Sequence, residues 1–196
     1  MLFTKATGND SFQFYTQANG YSGARQVTAV GYRIQQTTAG RLYQLERGAA
    51  GTDWTGNANP YVQFLPNLFA APLVSDPNYD VLASDVFRLE FCFLLNTGLL
   101  SITSNSPVNS AGYQTYSDVV GLVVGLGVLD GRSRELISST TPTQLALLST
   151  NLPDCTTGQD PASGWSAAMA KPGFGAGLPL PVVQNIRIYQ RTFYVQ

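Results

Sequence analysis

From Val86 to Leu95 the chain reads VFRLEFCFLL, with Phe87, Leu89, Phe91, Phe93 and Leu95 two apart and Arg88, Glu90 and Cys92 between them. Apolar side chains at period 2 press one side of an extended chain against a core. The segment is therefore a strand, and a strand needs a sheet. Asp118 to Asp130 (DVVGLVVGLGVLD) is almost continuously apolar, as in a central strand covered on both faces. Its apolar stretch, Val119 to Leu129, is too short for the roughly 20 residues that span a bilayer. No signal peptide opens the chain at Met1-Leu2-Phe3-Thr4-Lys5.

Other segments follow the same period. Ser11 to Gln17 sets Phe12 and Phe14 against polar neighbours, and Asn19-Gly20 and Ser22-Gly23 supply turn chemistry. Gln26 to Gln35 and Arg41 to Arg47, joined by Thr37 to Gly40, read as a hairpin. Gln184 to Val195 ends the chain as a strand, with Ile186 and Ile188 inward, Arg187 and Tyr189 outward, and Phe193 and Val195 returning to the inner face. Helical spacing is found from Ser138 to Leu152, where Thr141, Pro142 and Gln144 look like a capped start and Leu145, Leu148 and Leu152 form a stripe. A second short helix is expected over Ala162 to Ala170. Gly48 to Tyr79, with four prolines and one helical turn near Asn67 to Ala71, reads as a long surface excursion, and Gly173 to Pro181 as a loop. The expectation is a single α+β domain over 1–196, mainly antiparallel β, with two short helices.

Composition limits the chemistry. The 196 residues hold no histidine, which removes the commonest general base and metal ligand. Net charge is -1 with only 12% charged residues, against roughly 25% in ordinary domains. No basic stripe points to nucleic acid. The carboxylates Asp85 with Glu90, and Asp130 with Glu135, are not forced into one site by spacing, and Arg88 and Glu90, on one strand face, are expected to pair. No serine sits in a nucleophile elbow. Gly125-Leu126-Gly127 lacks the strand-turn-helix setting of a phosphate loop and is expected to admit a close neighbour. Asp76, Asn78 and Asp80 alternate like cation ligands, but Pro77 and the lack of a downstream bidentate Glu argue against a metal. Neither a cofactor nor a catalytic residue is expected. Cys92 and Cys155 fit no zinc or redox motif; they pair in an oxidising compartment, or remain a packed residue and a loop thiol. Trp54, Tyr61, Trp165 and Tyr189 are candidates for a partner surface, Tyr113 and Tyr194 for its edge. For both tryptophans the competing reading is a plug that holds a loop on the core.

The ordered pieces VTAVGYRI, RLYQLERG, VLASDVFRLEFCFLL and QNIRIYQRTFYV resemble minor pseudopilins of the type II secretion J type. With FYTQANGYSG and VVGLGVLDGRSREL added in order, the chain looks closer still to the pseudopilin-like Verru_Chthon cassette protein C family. The resemblance implies a non-catalytic subunit of a pseudopilus or type IV pilus-like fibre, periplasmic and held at the inner membrane. Its partners would be other minor pseudopilins and a secreted substrate, with no nucleic acid. It also implies a prepilin leader and a long apolar N-terminal helix as membrane anchor; these 196 residues hold neither. A carbohydrate-binding or adhesin-like β module is the alternative, and would need Trp54 and Trp165 exposed together. A hydrolase would need two carboxyls in one cleft, and a capsid-like sandwich would need self-assembly into shells.

Overall fold

A computed structural model of the chain describes residues 2–4, 8–16, 27–36, 43–52, 79–104, 116–137 and 142–194. The strands are β1 (Leu2–Thr4), β2 (Ser11–Thr16), β3 (Val27–Gln36), β4 (Tyr43–Thr52), β5 (Tyr79–Ser84), β6 (Val86–Leu95), β7 (Leu100–Ser101), β8 (Val119–Val128) and β9 (Arg187–Tyr194). Between β8 and β9 lie α1 (Gly131–Glu135), α2 (Pro142–Asn151), α3 (Pro161–Met169) and α4 (Leu180–Gln184). One sheet has the order β1-β2-β3-β4-β5 and the other β7-β6-β8-β9. Every pairing is antiparallel, so the fold is α+β and dominated by antiparallel sheet.

The two sheets meet at Asp85, which carries a φ of 68°. Its N–H donates to the Tyr43 carbonyl at the start of β4, and its own carbonyl accepts from Leu129 N–H just beyond β8. One residue thus bonds to both sheets as the chain turns from β5 into β6. Among the described residues early β6 has no strand on its outer side, because β7 reaches only Phe93 and Leu94. Asn9 and Asp10 fill that place. Asn9 Nδ2 donates to the Phe87 carbonyl and Asn9 Oδ1 accepts from Leu89 N–H. Asp10 N–H donates to the Leu89 carbonyl, and Asp10 Oδ2 accepts from Phe91 N–H. Buried backbone groups must be paired somewhere, and here two side chains stand in for a ladder.

The second sheet separates two apolar clusters. On its helical side Phe87, Leu129, Leu145, Leu148, Leu152, Trp165, Val182 and Ile186 pack together. The expected Leu145–Leu148–Leu152 stripe is fully buried there. On the other side Phe91, Phe93 and Leu95 pack with Phe12, Tyr116, Val119, Leu122 and Val124. The Phe12 ring meets Phe91 edge-on at 5.9 Å, which joins the sheets through their aromatics.

Several expectations are corrected. Phe87 does not share a cluster with Phe91, because a register shift between Val86 and Arg88 breaks the period at the strand's start. The second face of β8 is only half covered: Gly121, Val123, Gly125 and Gly127 are buried, while the residues between them are intermediate. Gly48 does not open a loop. β4 runs on to Thr52 because β3 supplies ladder partners through Val27, which outweighs the weak strand preference of Gly48-Ala49-Ala50-Gly51. Tyr79 begins β5, and its ring lies across Gly48, where an added Cβ would sit 2.6 Å from ring carbons. Pro181 and Gln184 belong to α4, and the last strand begins at Arg187. The helical turn expected at Asn67 to Ala71 and the cap at Thr141 lie outside the described residues.

Candidate functional site

Two charges of β6 are wholly enclosed. Arg88 and Glu90 lie opposite Gly127 and Gly125 of β8 and have no exposed surface, and burying a charge is costly unless it is paired. Arg88 Nη2 donates to Glu90 Oε2 at 2.8 Å and to Asp154 Oδ1 at 2.6 Å. Glu90 Oε1 accepts from Cys155 N–H at 3.0 Å. Two positions along β6, Cys92 is joined by a disulfide to Cys155, with Cα atoms 6.0 Å apart. Trp165 of α3 closes this cluster: its Nε1–H donates to the Pro153 carbonyl at 2.9 Å, and the Arg88 guanidinium lies 5.8 Å from its ring. Arg88, Glu90 and Cys92 thus fasten Asp154 and Cys155 to β6, while Trp165 ties Pro153 to α3.

Trp165 is therefore a core residue, fully buried, and it does not contribute to a partner surface. Its ring and Pro161 occupy the space over Gly125, where an added Cβ would lie 2.8 Å from Pro161 Cβ and 3.1 Å from Trp165 Cη2. The glycine in the central strand lets α3 approach, as its sequence setting anticipates. Trp54, Tyr61 and Tyr113 lie outside the described residues. Tyr189 is exposed at 58%, in line with its outward place in the sequence pattern, and Tyr194 at 73%. Phe193, expected inward, is instead half exposed, because the unbroken register with β8 keeps it on the face of Tyr189 and Arg191; Val195 lies outside the described residues.

The carboxylates do not converge. Asp85 lies 3.6 Å from Arg134 Nε at the junction of the sheets, whereas Glu90 is held by Arg88 and Cys155. Asp130 accepts from Ser133 N–H and caps α1; hydrogen bonds from the Ser133 backbone and side chain, aided by the charge of Arg187, hold it below the usual aspartate range. Asp160 caps α3 in the same way. Burial pushes its carboxyl up, but bonds from the Ser163 N–H and hydroxyl overcome this and lower it. Burial alone raises the Tyr43 and Tyr116 phenols. Asp80 sits in β5, while Asp76 and Asn78 lie outside the described residues. Among the described residues no group of three or more Cys, Asp or Glu could hold a metal ion. No helix among them is long and apolar enough to cross a membrane. An open groove of about 470 Å³ beside α3, lined by residues including Asn151, Gln159, Lys171 and Phe174, brings no nucleophile to a base.

What remains on the surface is β9. It is the outer strand of its sheet, and Tyr189, Phe193 and Tyr194 are all at least half exposed. Its pairing with β8 sets Tyr189, Arg191 and Phe193 beside Leu126, Val124 and Leu122. Paired residues share a face, so these three point away from the helices. Ile188 and Gln190 take the opposite side, where Ile188 packs on the helical core and Gln190 Oε1 accepts from Ala162 N–H at the start of α3. Arg191 leans over the Phe193 ring at 5.5 Å.

Sequence reasoning missed Asn9, Asp10 and Asp154. Gly-Asn-Asp before a strand is a turn signal, but nothing in it says that a distant strand edge needs those oxygens. No protein family matches the chain, and no curated protein matches it significantly. Among solved structures, a type IV-like pilin from Thermus thermophilus is similar at 12% identity with a TM-score of 0.42, over 99% of this chain and 80% of that one. A likeness this remote neither identifies the chain nor supports a function.

Proposed function

We propose that the chain is a non-catalytic, extracytoplasmic subunit of the minor pseudopilin kind, working through protein-protein contacts in a pseudopilus or type IV pilus-like fibre. The observation that carries this reading is where the polar and aromatic side chains lie. The chemically capable groups, Arg88, Glu90 and Asp10, are buried and tied to backbone or to each other. Among the described residues, the aromatics that are at least half exposed instead lie on one edge strand. A surface poor in charge and rich in tyrosine suits interfaces. The Cys92–Cys155 bridge favours an oxidising compartment. The motif sequence that resembles pseudopilins falls largely on β3, β4, β6, β8 and β9, so the resemblance spans both sheets.

A glycan-binding module is less well supported, because Trp165, one of its two platforms, is enclosed in the core. The test is intact mass and membrane fractionation of the native protein from its source cells. The expected result is a mature form with an apolar N-terminal segment ahead of this sequence, retained with the inner membrane. A soluble form that starts at Met1 overturns the reading.

A further inference from the structure

Strand edges that stay open are usually guarded by shortness, a bulge, charged side chains, proline or a covering element. Three of the four sheet edges here follow that rule. β1 and β7 are 3 and 2 residues long. β5 carries a register shift opposite Leu45 and Glu46. β9 follows it only through the charges of Arg187 and Arg191. It runs 8 residues with neither proline nor lysine, and its register with β8 is unbroken from Val128↔Arg187 to Gly121↔Tyr194.

Its side chains also carry a pattern. On the face away from the helices stand Arg187, Tyr189, Arg191 and Phe193, basic and aromatic by turns, and the strand RIYQRTFY has no acid. That order is complementary to itself when read backwards. If a second β9 is laid antiparallel against the first about Gln190, Arg187 faces Phe193 of the other copy and Tyr189 faces Arg191. Each guanidinium then meets an aromatic ring and no arginine stands directly across from another. On the opposite face Ile188 meets Thr192.

We propose that β9 pairs with β9 of a second copy of this chain, in a two-fold antiparallel register centred on Gln190. The contact joins two four-stranded sheets into one continuous sheet, by the strand-addition mode of recognition, and as an isologous contact it closes on itself. It adds backbone hydrogen bonds along an edge that no described strand pairs, and Arg–aromatic contacts across the strands. The inference does not rest on the fibre-subunit reading, so either can fail without the other.

Sedimentation of the purified chain over a wide concentration range tests it. The expected result is a concentration-dependent dimer, weakened roughly tenfold by Arg191→Glu, which removes a cation–aromatic pair on each side of the two-fold. An unchanged thermal transition shows that this variant still folds. Register is read by crosslinking. The described cysteines are all in the disulfide, so Gln190→Cys gives a single new thiol facing its own mate at about 5 Å and is trapped by a short thiol-to-thiol reagent. Arg187→Cys lies about 20 Å from its mate in this register and is not. A chain that stays monomeric at every concentration overturns the proposal and leaves β9 to another kind of strand. A dimer indifferent to Arg191→Glu, or one in which Arg187→Cys crosslinks as readily as Gln190→Cys, overturns it as well.

Discussion

β6 and β9 lie two places apart in one sheet and use arginine in opposite ways. Arg88 of β6 is wholly enclosed, bonded to two carboxylates and roofed by an indole. Arg191 of β9 has a single ring beside it and lies exposed at the sheet's rim. Burial makes the first pair indispensable once formed, because a charge stripped of its partner in the interior has no water to turn to. Exposure makes the second energetically light within the chain and available to something outside it. The lesson is that an arginine on a strand reads as a structural clasp or as part of a contact surface according to what covers it. Here Trp165 of α3 and the 153–155 segment enclose Arg88, whereas the face of β9 that carries Arg191 is turned away from the helices.

The contrast is broken most severely at Glu90. Glu90→Ala leaves Arg88 with one partly exposed partner and Cys155 N–H without an acceptor. Loss of one member of a buried pair costs about 3–5 kcal/mol, and chemical denaturation is expected to show a fall of that order. The disulfide comes next. Cys92 and Cys155 are 63 residues apart, and a loop of that length corresponds to about 4 kcal/mol of stabilisation in the chain-entropy account. A Cys92→Ala/Cys155→Ala chain should therefore melt well below the parent while β9 variants do not. Because Cys155 N–H also bonds Glu90, the two losses should be less than additive, and a double-mutant cycle measures the shortfall.

Much of this could be read from residue order, for a physical reason. Period-2 runs such as Phe12 and Phe14, or Phe91 to Leu95, report burial directly, and the leucine stripe of α2 does so at helical spacing. The Arg88–Glu90 pairing was also legible, since residues two apart on a strand share a face. What could not be read was set by distant parts of the chain. Asp154 reaches Arg88 across 66 positions, and Asn9 and Asp10 serve β6 from about 80 positions away. The extension of β4 through Gly48-Ala49-Ala50-Gly51 depends on β3, not on its own residues. Trp165 illustrates the limit: from its own segment it reads equally as a surface platform or as a plug until Gly125 is placed beneath it.

A smaller effect is expected at the helix start that helps hold Trp165 in place. Asp160 accepts from Ser163 N–H and its hydroxyl, so Asp160→Ala should cost about 1 kcal/mol at neutral pH. Its carboxyl is held below the ordinary value, about 3.9 for aspartate. The contribution is therefore present above that value and lost as pH falls through the lower, folded one. Thermal melts of parent and variant should differ at neutral pH and converge on acidification. A gap that persists below the folded value would point to packing and not to the cap.

The smallest change in stability belongs to β9, and it is the one that separates the two regions. Tyr189 and Phe193 are exposed at 58% and 50%, so Tyr189→Ser/Phe193→Ser removes little that the folded chain itself buries. Denaturation should move by no more than about 0.5 kcal/mol per site. If instead the loss matches that at Glu90, then these rings are part of the core's support and β9 is a second clasp. If stability is kept while self-association falls, strand arginines serve the interior at β6 and the exterior at β9, distinguished by what the rest of the chain lays over each.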